Sequence, residues 1–539
     1  MPGQRAFELP GLRIAKPCRT RVCLRRSDGT IAATSNPLII EETEQVHFWA
    51  DLHGQSEETI GTGSADEYFS FARQLAFVDA CGHQGNDFQI TDEFWTELNR
   101  LTAEHDEPGS FVALPGYEWS GNTSLGGDRN VYFPSEGRKI RRSSHALIEG
   151  GDLDGTDALT TADLFEAFAR DDEADVVMYA HCGGRYADIG VAHDGRFEKS
   201  VEVHSSWGSF EWLLHDAFKF GYRVGVVANS DGHKGRPGAS YPGAGKFGAI
   251  GGLTCFLMDK LDRETLLDCM RKRHHYGTTG GLNGRMIIDL SARFSEPVTV
   301  YNDDPAIFSH SEGQTAQTAM MGDIVHCPNG EMDLSVNLET TSPIERVDIF
   351  NGLDLVETVR PFSERELGKR IRVVWEGAEY RGRFREVIWD GTAVVDGNEI
   401  LAVDPINFFN PDKRLECDGN AVNWEALTTG NCGGIDLRLA DENSGEFRLK
   451  CPLVDEKLKV SDIGLEDTVF DVSGELPRSV RIFRLPDENA ACNLAFRRKI
   501  KLKPTGDNPI FVRLTQEDGT RAWTSPIYVF GHDTAATRG

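Results

Sequence analysis

Seven side chains of the kind that bind divalent cations stand at the ends of apolar runs in the first half of the chain. His53 follows HFWADL, His83 follows AFVDACG, Glu118 ends FVALPGYE, His181 ends DVVMYAH, His204 ends SVEVH, and Asp231 and His233 close RVGVVANSDGH. Neutral imidazole nitrogen and carboxylate oxygen are donors for Zn, Mn or Fe. Brought together without a cation, the carboxylates repel one another and the buried imidazoles lack partners. A divalent ion answers both problems and acidifies a water, which is the chemistry of metal-assisted hydrolysis. Asp231 and His233 are also the candidates for moving a proton. One strand-end histidine is more often a hydrogen-bonded structural residue, Glu118 beside Trp119 fits a salt-bridged strand end, and Ser-Asp-Gly is common turn chemistry. Their joint recurrence along successive elements is what points to a metal.

The elements that must position these groups alternate between helix and strand from His47 to about residue 290. ADEYFSFARQL (65–75), TDEFWTELNRL (91–101, capped by Thr91), TADLFEAFARD (161–171), SFEWLLHDAFKFG (209–221) and DRETLLDCMRKRHHYG (262–277) carry helical spacing. Continuous apolar runs between them predict parallel strands covered by helices, closed as a barrel whose strand ends face one mouth. Residues 1–46 predict a short β-rich preface, and 291–539 a β-rich, sandwich-like region of alternating runs ended by Gly, Asn or Asp turns. The division is therefore 1–46, 47–290 and 291–539.

The chain has 539 residues, 26% charged and 39% hydrophobic, with a formal net charge of -28. That field disfavours nucleic acid and anionic lipid as general partners, so an anionic small-molecule substrate needs local positive charge. Arg129, Lys234 and Arg236 are the substrate-binding candidates, with Arg185 nearby; as isolated cations, all fit equally well as solvated rim residues. Trp119, Trp207 and Trp212 offer apolar walls, although core packing is their commoner use. GAGKFGAIGG (243–252) lacks the Gly-Lys-Ser/Thr ending of a phosphate loop and reads as a glycine-rich loop over the mouth. Eleven thinly spread cysteines without a CxxC pair read as reduced thiols. The start lacks an apolar signal core and no run is long enough to span a bilayer, which points to the cytoplasm. A homo-oligomer is compatible with all of this.

DLHGQS, GH at 82–83, GYEW, AH at 180–181, VEVHS and SDGH, in this order, resemble the motifs of polymerase-and-histidinol-phosphatase (PHP) domains. SNPLII, RNVYF, GHKGRPG, YGTTG and DGTRAWTSPIYV resemble an uncharacterised PHP-like branch. The resemblance implies a distorted (β/α)7 barrel that hydrolyses phosphate esters with up to three metal ions. It implies His53, Glu118 and Asp231 on one ion, Glu118, His181 and His204 on a second, and His83 and His233 on a third. The chain departs from the pattern at three places. Gln55 stands where His-x-His has its second histidine, Ile60 where a carboxylate or imidazole is usual, and Cys81-Gly82-His83 replaces Thr-Asp-His. These departures weaken the first and third positions, so the expectation is one to three ions, centred on Glu118, His181 and His204. Phosphoester hydrolysis leads. Hydrolysis or lysis of an ester, lactone, amide or C–O bond in an aromatic or sugar compound is the alternative, and a non-catalytic binding protein on the same scaffold is the third reading.

Overall fold

The structure, a computed structural model, describes residues 13–43, 45–149, 155–241, 249–328, 330–410 and 412–531. The glycine-rich loop expected at 243–252 falls mostly outside them. The first strands, β1 (Cys18–Thr20), β2 (Cys23–Arg25), β3 (Ile31–Thr34) and β4 (Leu38–Ile40), form two small antiparallel pairs, β1 with β4 and β2 with β3.

The strands that carry the candidate site follow. β5 (Val46–Asp51), β6 (Ala80–Gly82) and β7 (Val112–Leu114) pair in parallel. Pro115 breaks the expected FVALPGYEW strand, because it has no N–H to give a ladder; the chain resumes as β8 (Gly116–Ser120). β9 (Asp128–Tyr132) runs antiparallel between β8 and β10 (Val177–Ala180). β10, β11 (Glu198–Ser205) and β13 (Gly225–Ala228) are parallel again, with the short β12 (Gly208–Ser209) folded back on β11. Two isolated parallel bridges, Gly54 with Gly232 and Asn86 with Glu118, draw the strand ends of these two arcs together. The arrangement is β-rich, with β9 antiparallel to both its neighbours, Leu253–Met258 antiparallel to β5, and five α-helices among the described residues, fewer than the distorted (β/α)7 barrel implied by the PHP resemblance would carry.

The helices form where caps and periodicity place them. Ser64 caps α1 (Ala65–Phe71), Thr91 caps α2 (Asp92–His105) through Phe94 N at 3.1 Å, and Thr160 caps α3 (Thr161–Arg170), with full capping boxes on α1 and α3. Gly221 (φ 72°) ends α4 (Glu211–Phe220). The helix expected over 262–277 stops sooner. α5 (Arg263–Lys272) ends at Arg273, whose φ is 62° and whose buried guanidinium donates to Gly322 O (2.9 Å) and Asn302 O (3.0 Å). His275 to Thr278 then form β15, paired with β14 (Leu253–Met258).

β15 also pairs with Arg521–Thr524, so one fifteen-stranded sheet joins β5, β6, β7, β14 and β15 to strands near the C-terminus. Two five-stranded antiparallel sheets within 370–485 share a core that includes Ile371, Val395, Val422 and Phe447, with Trp375 and Trp424 stacked 5.2 Å apart. No helix among the described residues is long and apolar enough to cross a membrane.

Candidate metal centre

Three of the expected ligands meet at the strand ends. His53 lies just beyond β5, Glu118 lies on β8, and His181 follows β10; all three are buried, and their ligand atoms lie within 4.8 Å of one another. His53 Nε2 is 3.7 Å from Glu118 Oε2, and His181 Nε2 is 3.7 Å from Glu118 Oε1. Asp231 joins them, its Oδ1 3.4 Å from both His53 Nε2 and His233 Nε2. Asp231 has φ 44°, a left-handed conformation that costs a non-glycine residue energy and that Asp tolerates better than most. Its amide donates to His53 O at 2.8 Å, which locks the β13 end onto the β5 end.

Donor chemistry and spacing both fit a cation. His53 Nε2 and both ring nitrogens of His181 are buried without a hydrogen-bond partner. A tetrahedral ion with bonds of about 2.1 Å holds its donor atoms about 3.4 Å apart. His53 Nε2 lies 3.4 Å from Asp231 Oδ1 and 3.7 Å from Glu118 Oε2. The His53, Glu118 and His181 ligand atoms all lie within 4.8 Å of one another, close enough to converge on one ion. Glu118, Glu202 and Asp231 crowd His53, and burial pushes the Glu202 carboxyl up, so a divalent ion would relieve the crowding of buried carboxylates. Burial opposes a charge on His53, but Asp231, Glu202 and Glu118 outweigh it and push its pKa well up. Burial and the neighbouring His53 push His181 down to about 4, so it is neutral and its nitrogens are open to a metal.

Sequence reasoning missed the groups that hold these ligands in place. Glu202 faces His53 Nδ1 at 3.2 Å and accepts from Asn229 Nδ2 at 2.8 Å. Ser120 Oγ donates to Glu118 Oε1 at 2.8 Å and accepts from Asn86 Nδ2 at 2.8 Å. Asp51 accepts from Ser230 N (2.9 Å) and Gly238 N (2.7 Å), tying the SDGH loop to β5. The VEVHS run, with Glu two residues before His, was the available signal for Glu202. Gln55 takes no ligand place of its own; its Nε2 donates to Glu118 Oε2 at 3.3 Å. Ile60 is 53% exposed and lies outside the cluster.

Of the remaining expected ligands, His233 reaches the cluster only through Asp231, and His204 and His83 are turned to other partners. His204 has both ring nitrogens engaged elsewhere, Nδ1 with Ser209 Oγ (2.8 Å) and Nε2 with Ile250 O (2.8 Å), and its ring stacks on Trp523. The cause is a bulge in β11: Glu202 pairs with Val227 but His204 with Ala228, so the alternation breaks at Val203. Glu202 turns into the cluster and His204 away from it. His83 is buried against Ser56 Oγ (2.8 Å) and Gly85 N (3.3 Å). His233 is half-buried at the mouth beside Trp207.

The substrate-binding expectation for Arg129 is corrected. Its guanidinium is wholly buried and bonded to Glu198 Oε2 (2.7 Å), Ala192 O (2.9 Å) and Gly126 O, so it braces β9 and cannot reach a ligand. Arg185 pairs with Asp128 at 3.1 Å. Lys234 and Arg236 are exposed on the loop after His233, and Lys234 Nζ donates to Tyr241 O at 2.9 Å. Of the tryptophans, Trp119 is core, with Nε1 donating to Ala158 O at 2.9 Å. Trp212 is also buried, and Trp207 alone of the three stands at the mouth.

Residues 29–183 match a family described as a protein of unknown function, DUF3604. An uncharacterised protein of Chlamydia pneumoniae is 23% identical over 352 residues, 60% of this chain and 54% of that protein. An uncharacterised protein of Chlamydia muridarum is 21% identical over 352 residues, with the same coverage of each chain. The chain thus spans about half the length of the curated relatives it matches. Among solved structures, a two-domain protein from Bacteroides vulgatus, described as containing a predicted PHP-like metal-dependent phosphoesterase, aligns at TM-score 0.33 and 9% identity over 78% of this chain and 96% of that one. Within the matched segment of the DUF3604 family lie His53, His83, Glu118 and His181, and outside it His204, Asp231 and His233.

Proposed function

We propose that the chain is a metal-dependent hydrolase whose centre is His53, Glu118, His181 and Asp231, acting on a small-molecule phosphate ester. The observation that carries this is the set of unpartnered imidazole nitrogens gathered within 4.8 Å around Glu118. On this reading the ring from β5 to β13 is a distorted PHP-type barrel, residues 47–290 are the catalytic unit, and 1–46 and 291–539 are accessory. One or two ions of Mn, Zn or Fe match the donors better than three, because the site gathers neither His83 nor His204.

A divalent ion there supplies charge neutralisation, Lewis acidity and an acidified water. The protein's own groups do the rest. Glu202 orients His53 through Nδ1, and Ser120 and Gln55 hold the two oxygens of Glu118. His233, half-buried and next to Asp231, is placed to exchange a proton with a leaving group or with solvent. Lys234 and Arg236 flank the mouth as secondary anion contacts.

A second reading, cleavage of an ester, lactone, amide or C–O bond in an aromatic or sugar compound, draws support from Trp207 at the mouth and from the loss of Arg129 and Arg185 to internal ion pairs. Metal content of the purified chain by elemental mass spectrometry, beside a Glu118→Ala, His181→Ala variant, tests the centre. Near-stoichiometric Mn, Zn or Fe that disappears in the variant supports it, and a screen of phosphate esters, then carboxylic esters and lactones, separates the two reactions. Failure to take up Mn or Zn leaves the non-catalytic reading.

A further inference from the structure

The segment 379–386, EYRGRFRE, belongs to the β-rich half of the chain yet lies against the loop that leaves His181. Arg385 donates to Gly183 O, its Nη1 is 3.2 Å from Cys182 Sγ, and its guanidinium sits 5.0 Å over the Phe210 ring. Cys182 Sγ donates to Arg381 O at 3.4 Å, while Arg381 pairs with Asp216 and lies 4.8 Å over Trp212. Two of the three arginines in this strap therefore anchor it. Arg383 does not: it is exposed and makes no hydrogen bond or ion pair among the described residues.

Its position relative to the metal centre follows from two glycines. A Cβ on Gly184 would lie 3.9 Å from Arg383 Nε and 3.6 Å from Trp207 Cη2. A Cβ on Gly183 would lie 3.0 Å from Asp231 Oδ2 and 3.8 Å from Trp207 Nε1. Adjacent Cα atoms are about 3.8 Å apart, so the guanidinium is at most about 14 Å from the Asp231 carboxylate. Gly183 and Gly184 carry no side chain between Asp231 and Arg383, and the Trp207 indole lies against both. Phe384, at the tip of the strap, is held at φ 62°, a conformation that bulky residues avoid and that the anchors on either side of it enforce.

We propose that Arg383 is the anion-recognition residue of this mouth. It pairs with a carboxylate or phosphate group on an organic molecule, at the end away from the bond that is cleaved, and the organic body lies along Trp207. The guanidinium fork matches such an oxyanion with two parallel hydrogen bonds. On a chain of net charge -28, an exposed, unpaired cation beside Trp207 is a local positive point at which an anion can pair. Of the other cations, Arg129 is bonded internally, Arg185 pairs with Asp128 and Lys234 donates to Tyr241 O, while Arg236 is exposed on the loop after His233 and off the strap. The role in turnover rests on the hydrolase reading above; the anion subsite does not.

Calorimetric titration of the full chain with phthalate and with inorganic phosphate, at low salt, tests it on protein stripped with EDTA and on protein incubated with manganese. The expected result is binding of at least one anion in both states, weakened about tenfold or more by Arg383→Gln and less by Arg383→Lys, and unchanged by Arg170→Gln on α3. Tighter phthalate assigns a carboxylate ligand, and tighter phosphate a phosphate. Binding of neither anion by the unmodified chain, or equal affinity in Arg383→Gln, overturns the subsite. An equal loss in Arg383→Gln and Arg383→Lys with a lowered melting midpoint also overturns it, since it marks a structural role. Anion binding that depends on Arg383 in a chain that takes up no manganese would sink the hydrolase reading and leave the subsite standing.

Discussion

The Glu202 carboxylate lies 3.2 Å from Nδ1 of His53 and holds a proton on that nitrogen. With Nδ1 keeping its proton toward Glu202, a cation that displaces the Nε2 proton would meet that nitrogen beside Glu118 and Asp231. A carboxylate behind a ligating imidazole both orients the ring and raises its basicity. Glu202→Gln keeps the shape but removes the charge. We expect metal affinity, measured by competition with a chelating dye, to fall about 10- to 100-fold with the far-ultraviolet spectrum unchanged. Unaltered affinity would mean that Glu202 does not support a ligand.

His204→Asn separates the geometry from the PHP resemblance. The resemblance makes His204 a ligand, whereas here Ser209 and Ile250 occupy both of its nitrogens. The variant should keep its metal stoichiometry and lose on the order of 1–3 kcal/mol of stability from buried partners left unsatisfied. Loss of metal without loss of stability would return His204 to the centre.

Much of this site was legible in the sequence, and what was not has identifiable causes. His53, Glu118 and His181 each close an apolar run, so strand-end placement alone predicted their convergence. His204 closes such a run as well, but the extra residue at Val203 shifts the alternation of β11, and nothing in VEVHS announces a bulge. Arg129 follows GYEW by ten residues and was assigned to substrate by proximity. Its partner Glu198 is 69 residues away in the chain, and such a pairing leaves no local trace. In the fold, capped helices such as α2 and α3 carry their own signals at Thr91 and Thr160. The pairing of β15 with Arg521–Thr524 joins segments nearly 250 residues apart and cannot be read from either one.

Gly183→Ala tests the packing under Asp231. The new methyl would stand 3.0 Å from Asp231 Oδ2, tighter than ordinary contact, and Asp231 is already held in a left-handed backbone conformation. The carboxylate has to move, and a displacement of a few tenths of an ångström at a ligand lowers affinity. Metal binding should weaken by about tenfold, with little change in the melting midpoint of the metal-free chain. Equal metal affinity in the two proteins would show that Asp231 Oδ2 faces no bound ion.

His275 makes acid stability a readout of the seam beside the site. It lies on β15, fully buried, with Nδ1 donating to Val226 O at 2.9 Å on β13, the strand that leads to Asp231. Burial, reinforced by His274 and Arg273, pulls its pKa down to about 3 against the partial support of the Val226 carbonyl. An unfolded imidazole titrates near about 6.5, so between these values the unfolded chain binds a proton that the native chain refuses. Stability from this group is therefore intact above about pH 6.5 and declines as pH falls toward the folded value, by about 2 kcal/mol at about pH 5. His275→Gln cannot titrate. Its melting deficit relative to the parent protein should be largest at about pH 7.5 and shrink by that amount at about pH 5. A deficit independent of pH would mean that His275 takes up its proton without opening the β13–β15 seam.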